Sequence, residues 1–84
     1  MIKKIYRSSG EKTLYITVTT RKGNYVPAYF GKFTFWESKE HYDRGDCEGA
    51  VTYKGVYLGY IKLNLEEAIN SSVDAIMKWA GYKI

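Results

Sequence analysis

Hydrophobic and polar residues alternate along much of the first sixty positions of the chain. The clearest case is the run 13–20, where Leu14, Ile16 and Val18 fall on one face and Tyr15 falls on the other. A period of two residues is typical of a β-strand that buries one of its faces. The run 13–20 is therefore predicted to be a strand with an apolar face turned towards the core.

Other stretches share this strand character, namely 2–7, 25–36 and 50–63. Pro27 cannot donate a backbone hydrogen bond, so we expect the second of these stretches to begin at a sheet edge. Gly31 is expected to mark a bulge or a turn within it. In the third stretch, Lys54 and Gly55 predict the turn of a hairpin. The polar segment 37–49 is predicted to be a loop with one short helical turn.

The hydrophobic period changes to that of a helix after residue 63. Asn64 stands at an N-cap position with Glu67 three residues later, which is typical of a capping box. Gly81 provides a C-terminal stop. The apolar positions with helical spacing are Leu65, Ala68, Ile69, Ser72, Val73, Ile76, Met77 and Ala80. This spacing predicts an amphipathic helix over 64–80.

Together these elements predict an α+β fold, a four- or five-stranded antiparallel sheet with one C-terminal helix packed on one face. The 84 residues are enough for a single domain, 1–84, which is strand-rich over 1–63 and helical over 64–80. The sheet face away from the helix is then open to solvent or to a partner. Trp36 and Trp79 adjoin apolar segments, so we expect both in or beside the core.

The charge balance permits acidic partners without requiring them. Thirteen basic and nine acidic residues give a formal net charge of +4, a sign that suits nucleic acid or an acidic protein surface. Cys47 is the one cysteine and His41 the one histidine, so we expect no disulfide, no metal and no cofactor. Because no apolar run follows the N-terminal charges, we expect no signal peptide. No apolar stretch approaches the length of a membrane span, and the single cysteine indicates a reducing compartment, so we expect a cytoplasmic location.

Acidic residues, the histidine and the cysteine gather in the segment 37–48. His41 could act as a general base oriented by Glu40 or Asp43, the carboxylates could hold a divalent ion, or Cys47 could form a nucleophile pair with the histidine. The spacing matches neither an EF-hand nor a zinc site. We therefore expect no enzymatic activity and keep a small hydrolase or nuclease centred on His41 as an alternative.

Aromatic residues are too numerous for one small core. The chain has nine Tyr, three Phe and two Trp, so some rings must reach the surface, where tyrosine suits an interface. Rings interleaved with cations occur both in protein interfaces and in single-stranded nucleic-acid sites. The predicted partner-binding residues are Tyr15, Arg21, Lys22, Tyr25, Tyr29 and Tyr57.

These observations favour a small binding protein that acts through its surface as a monomer or homodimer. By analogy with small accessory proteins of phages and mobile elements, we expect an inhibitor or modulator of a host or defence protein, of the anti-CRISPR or anti-restriction type, that binds its protein partner stoichiometrically. The alternative in another class is a nucleic-acid-binding regulator that uses a basic, aromatic sheet face.

Overall fold

The computed structural model of the chain describes residues 2–45 and 48–83, and it contains one antiparallel sheet with a helix across one face. In chain order the elements are β1 (Ile2–Ser9), β2 (Lys12–Lys22), β3 (Ala28–Trp36), α1 (Lys39–Arg44), β4 (Ala50–Tyr60) and α2 (Leu65–Ala80). The four strands follow one another across the sheet in the order β1-β2-β3-β4. The α+β fold predicted from the sequence is therefore confirmed, with four strands.

Two predictions about strand ends are wrong. Pro27 does not begin an edge strand, because β3 lies inside the sheet between β2 and β4. The proline lies in the connection before β3, where its missing amide hydrogen removes no ladder bond and its carbonyl accepts a hydrogen bond from the Ile61 amide at 3.0 Å. The expected hairpin at Lys54 and Gly55 is also absent, since β4 runs continuously through both residues.

A β-bulge replaces the expected turn in β4. Phe33 pairs with Tyr53 and Gly31 pairs with Val56, so the register between β3 and β4 shifts across Lys54 and Gly55. Gly55 has a φ of +66°, a left-handed conformation that glycine adopts without a steric penalty. Glycine signals a bulge as readily as a turn, and pairing with β3 decides between them. The predicted bulge near Gly31 lies at this same irregularity.

The core lies between α2 and one face of the sheet. Its buried members are Ile5, Leu14, Ile16, Val18, Phe33, Phe35, Ile69, Val73 and Met77. The side chain of Asn64 caps α2 by accepting a hydrogen bond from the Glu67 amide at 3.2 Å, and Gly81 ends the helix with a φ of +83°. The helix predicted over 64–80 and both of its caps are confirmed.

Polar contacts fix the direction of α2 along β1. Lys3 forms an ion pair with Glu66 at 3.1 Å. Four residues further along the strand, Arg7 donates to Asn70 Oδ1 at 2.7 Å and pairs with Asp74 at 3.4 Å. Since the residue numbers rise together, α2 runs parallel to β1.

The two tryptophans differ in their environments. Trp36 is buried, as expected. Trp79 is 79% exposed, so it is not part of the core itself. Its ring meets that of Tyr53, on β4, edge to face with the centroids 6.0 Å apart, so Trp79 lies at the edge of the interface between α2 and the sheet. Neither described helix combines the length and the hydrophobicity that a membrane crossing needs.

Candidate functional site

The sheet has a second face, opposite α2, which we call the open face. Strand register and alternation place a row of threonines and cations on it, together with several rings. Its main side chains are Lys4, Tyr6, Tyr15, Thr17, Thr19, Arg21, Phe30, Lys32, Thr34, Trp36, Thr52, Lys54 and Tyr57. No acidic residue of the described strands lies on this face.

The short helix α1 covers one end of the open face. Ser38 caps its start, and Gly45 ends it in the left-handed conformation with a φ of +66°. Tyr42 projects from α1 onto the sheet, where its ring centroid lies 6.2 Å from Tyr6, 5.3 Å from Tyr15 and 5.5 Å from Trp36. The expected open face is thus closed at this end by a cluster of aromatic rings.

Burial alters the chemistry of Tyr42. The pKa of the Tyr42 hydroxyl is raised to about 12, mainly because the group is removed from water and secondly because of the nearby Tyr6. The Lys4 ammonium lies 5.3 Å from the centre of the Tyr42 ring, within the range of a cation–π contact. Tyr42 therefore stays neutral at physiological pH and acts in packing.

The other end of the open face carries a second aromatic cluster. The guanidinium of Arg21 lies 5.4 Å from the centre of the Phe30 ring, and this ring meets Tyr57 edge to face at 5.8 Å. We call this end the sheet tip. It comprises Arg21, Tyr25, Val26, Phe30, Tyr57, Tyr60 and Ile61.

Several large apolar side chains of the sheet tip are in contact with solvent. Tyr25 is 99% exposed, Tyr57 60% and Tyr60 59%, and Val26 and Ile61 are exposed beside them. Backbone pairing holds these residues together: Tyr60 pairs with Ala28, and the Ile61 amide bonds to the Pro27 carbonyl. The tip therefore presents several exposed apolar side chains beside the cation of Arg21.

The structure separates the six residues predicted to bind a partner. Arg21 and Tyr57 meet through Phe30 on the open face, and Tyr25 lies in the adjoining β2–β3 connection. Lys22 and Tyr29 pair with each other, and alternation turns both to the opposite face. Tyr15 lies on the open face but six residues from Arg21, about 20 Å along a strand, and it is half-buried against Tyr42.

The segment around His41 forms part of α1. The two acidic residues considered as its orienting groups are engaged elsewhere: Asp43 pairs with Lys39 at 2.8 Å and Glu40 with Arg44 at 3.8 Å. Cys47 lies outside the described residues. Within 2–45 and 48–83, no group of three or more acidic, histidine or cysteine residues is arranged to hold a metal ion.

Phe30, Lys32 and Lys54 were not among the residues predicted to bind a partner. The sequence does place Phe30 and Lys32 on the open face, because even-numbered positions of β3 lie on the sheet face away from the buried Phe33 and Phe35. The place of Lys54 depends on the bulge in β4, which no local pattern distinguishes from a hairpin.

Comparison with known proteins does not add a relative to this description. No protein-family model matches the chain, and no curated protein or solved structure matches it significantly.

Proposed function

We propose that the protein is a cytoplasmic, non-enzymatic binding protein that associates stoichiometrically with a protein partner through the sheet tip. The observation that carries this proposal is the group of five exposed apolar side chains at one end of the sheet, Tyr25, Val26, Tyr57, Tyr60 and Ile61. Exposed apolar surface of this kind, bordered by polar groups, is typical of protein interaction sites.

The composition of the tip supports an interface. Tyrosine and arginine are enriched among the residues that dominate binding energy, and rings that are already held in place lose little entropy on binding. Phe30 fixes Arg21 and Tyr57 from two sides. Arg21 gives the border a positive charge, so the partner surface is expected to be acidic around an apolar centre.

The proposed biological role is inhibition or modulation of a host or defence protein, of the kind that phage and mobile-element accessory proteins perform. Its support is the combination of a small domain with a preformed aromatic surface. A stoichiometric inhibitor needs an interface and no catalytic group, which agrees with the engagement of Glu40 and Asp43 in ion pairs with their neighbours in α1.

Affinity capture with matched surface variants tests the proposal. Tagged wild-type protein, Tyr25→Ser/Tyr57→Ser and Trp79→Ser are used to capture partners from a lysate of the source organism. Trp79 is an exposed ring on α2, outside the tip, and serves as the control. We expect one protein retained by the wild type and the Trp79 variant but lost by the double variant, and equimolar binding on titration of the purified pair. Identical capture by all three proteins would contradict the proposal.

Nucleic-acid binding is a second candidate, favoured by the cations of the open face. Lys4, Arg21, Lys32 and Lys54 lie on a face whose described strands carry no acidic residue. Fluorescence anisotropy of labelled DNA and RNA, repeated across a salt titration, tests this function. Three phosphate contacts would give a slope of about −2 to −3 in the logarithm of affinity against that of salt, whereas absence of binding at low salt would exclude it.

A further inference from the structure

Three cations from three neighbouring strands line one cleft on the open face. Arg21 comes from β2, Lys32 from β3 and Lys54 from β4, and with Thr19, Gly31 and Gly55 they surround a volume of about 300 Å³. The charged groups therefore converge on one place, although they are far apart in the sequence.

Strand register explains the convergence. Lys32 pairs directly with Thr19, and Arg21 lies two residues further along β2 on the same face. On the other side of Lys32, the bulge in β4 places both Lys54 and Gly55 between the pairs that flank it. Gly55 has no side chain, and a Cβ built there would meet no atom within 4 Å, so the space beside Lys54 is open.

The cleft concentrates positive charge that nothing in its lining neutralises. All five ion pairs found among the described residues lie elsewhere; their cations are Lys3, Lys12, Arg7, Lys39 and Arg44. Like charges on adjacent strands destabilise a sheet. An anion bound between Lys32 and Lys54 would offset this repulsion.

The donors suit a phosphate group. Arginine presents a planar fork that matches two phosphate oxygens, lysines act as mobile point charges, and the Thr19 hydroxyl adds a neutral donor. A phosphate carries up to two negative charges near neutral pH, whereas a carboxylate carries one. Three cations therefore favour phosphate over carboxylate.

The surroundings of the cleft have room for more than one phosphate group. A second cleft of about 240 Å³ shares Thr19 and Lys32 with the first and continues along the open face over Thr17, Thr34 and Thr52. The Phe30 and Tyr57 rings lie beside Arg21 at the other end. Hydroxyl-lined space on one side and aromatic rings on the other resemble the surroundings that nucleotides require.

We propose that the cleft between Arg21, Lys32 and Lys54 is a binding site for the phosphate group of a small anion or of a nucleotide chain. The inference goes beyond the protein-binding function, since it uses other residues apart from Arg21. It holds whether or not the sheet tip binds a protein partner.

Nuclear magnetic resonance titration of the isotope-labelled protein tests the site. The probes are sodium pyrophosphate, a nucleoside monophosphate, a short single-stranded oligothymidylate and, as a carboxylate control, sodium glutamate. The test variant is Lys32→Gln/Lys54→Gln. The matched control, Lys62→Gln/Lys78→Gln, removes the same charge from lysines that do not line the cleft. The four substituted lysines are all exposed, and circular dichroism of each variant verifies the fold.

We expect saturable shifts of the amides of Thr19, Lys32 and Gly55 with at least one phosphate probe. The affinity should fall at least tenfold in the test variant and less than twofold in the control. Equal affinities for pyrophosphate and oligothymidylate would assign the site to small phosphates; a tenfold preference for the oligonucleotide, with shifts at Tyr57, would assign it to nucleic acid. The proposal is overturned if no phosphate probe saturates, if glutamate binds as tightly, or if both double variants weaken binding equally.

Discussion

The ring of Tyr42, on the six-residue helix α1, lies 5.3 Å from the ring of Tyr15, on the interior strand β2. One side chain from a short helix thus covers part of a sheet face whose strand pattern alone leaves it open. Because Tyr6 and Trp36 complete the cluster, the contact divides the open face into a packed end and an accessible end, and the proposed binding surfaces lie at the accessible end.

Substitutions of Tyr42 are expected to separate ring packing from the role of its hydroxyl. Tyr42→Ala removes a buried ring, so we expect a loss of about 3 kcal/mol in the free energy of unfolding. The hydroxyl is buried with no hydrogen-bond partner among the described residues, so Tyr42→Phe should change stability by less than about 0.5 kcal/mol or raise it. Urea denaturation measures both. Tyr25→Ala, at a fully exposed ring, is the control and should have little effect; a large loss in Tyr42→Phe would contradict the assignment.

The pH dependence of the free energy of unfolding should also reflect the burial of Tyr42. The pKa of Tyr42 is raised to about 12 in the folded protein, above the ordinary value of 10. Folding therefore favours the protonated form; its stabilising effect is complete below pH 10 and is lost progressively as the pH rises towards 12. We expect the wild type to lose more stability between pH 10 and 12 than Tyr42→Phe. Other tyrosines and the lysines titrate in both proteins, so parallel profiles would show that Tyr42 makes no such contribution.

The polar contacts between β1 and α2 should contribute unequally to the free energy of unfolding. Arg7 donates to Asn70 at 2.7 Å in a partly buried position, whereas its 3.4 Å pair with Asp74 is exposed. We expect Asn70→Ala to cost about 1 to 2 kcal/mol, because a hydrogen bond to a charged group is lost. Asp74→Ala should cost less than about 0.5 kcal/mol.

Chemical denaturation at low and high salt tests this order. Ser71→Ala, at an exposed position of the same helix, corrects for the higher helix propensity of alanine. The effect of Asn70→Ala should persist at high salt, while that of Asp74→Ala should disappear. A larger loss for Asp74→Ala than for Asn70→Ala would reverse our ranking of the two contacts.

Alanine substitutions at Gly31 and Gly55 should lower the stability of the protein by different amounts and for different physical reasons. A Cβ at Gly31 would lie 2.7 Å from the ring of the buried Phe33, so we expect a loss of about 2 to 3 kcal/mol from overpacking. A Cβ at Gly55 would meet no atom within 4 Å, and only the positive φ opposes it, which costs about 1 kcal/mol. The shift in urea midpoint should therefore be larger for Gly31→Ala, and the opposite order would contradict the packing described here.

Elements whose signals are local could be predicted from the sequence. The helix over 64–80 was predictable because the period of its apolar residues, its Asn64 cap and its Gly81 stop all lie within or beside it. The buried face of β2 was predictable because alternation needs only consecutive residues. One helix packed against one side of the strands then followed from the single apolar stripe of the helix.

Which residues meet across elements depends on the folded arrangement of the whole chain. Lys54 and Gly55 could form a turn or a bulge, and pairing with β3 selected the bulge. Trp79 was expected in or beside the core; it is 79% exposed, and its ring reaches only the core edge, at Tyr53. The cleft joins cations from three strands, and the cover over Tyr15 comes from a helix more than twenty residues away. A local pattern records which face a residue occupies; its neighbours on that face depend on strand order, register and the position of α1, which only the folded chain fixes.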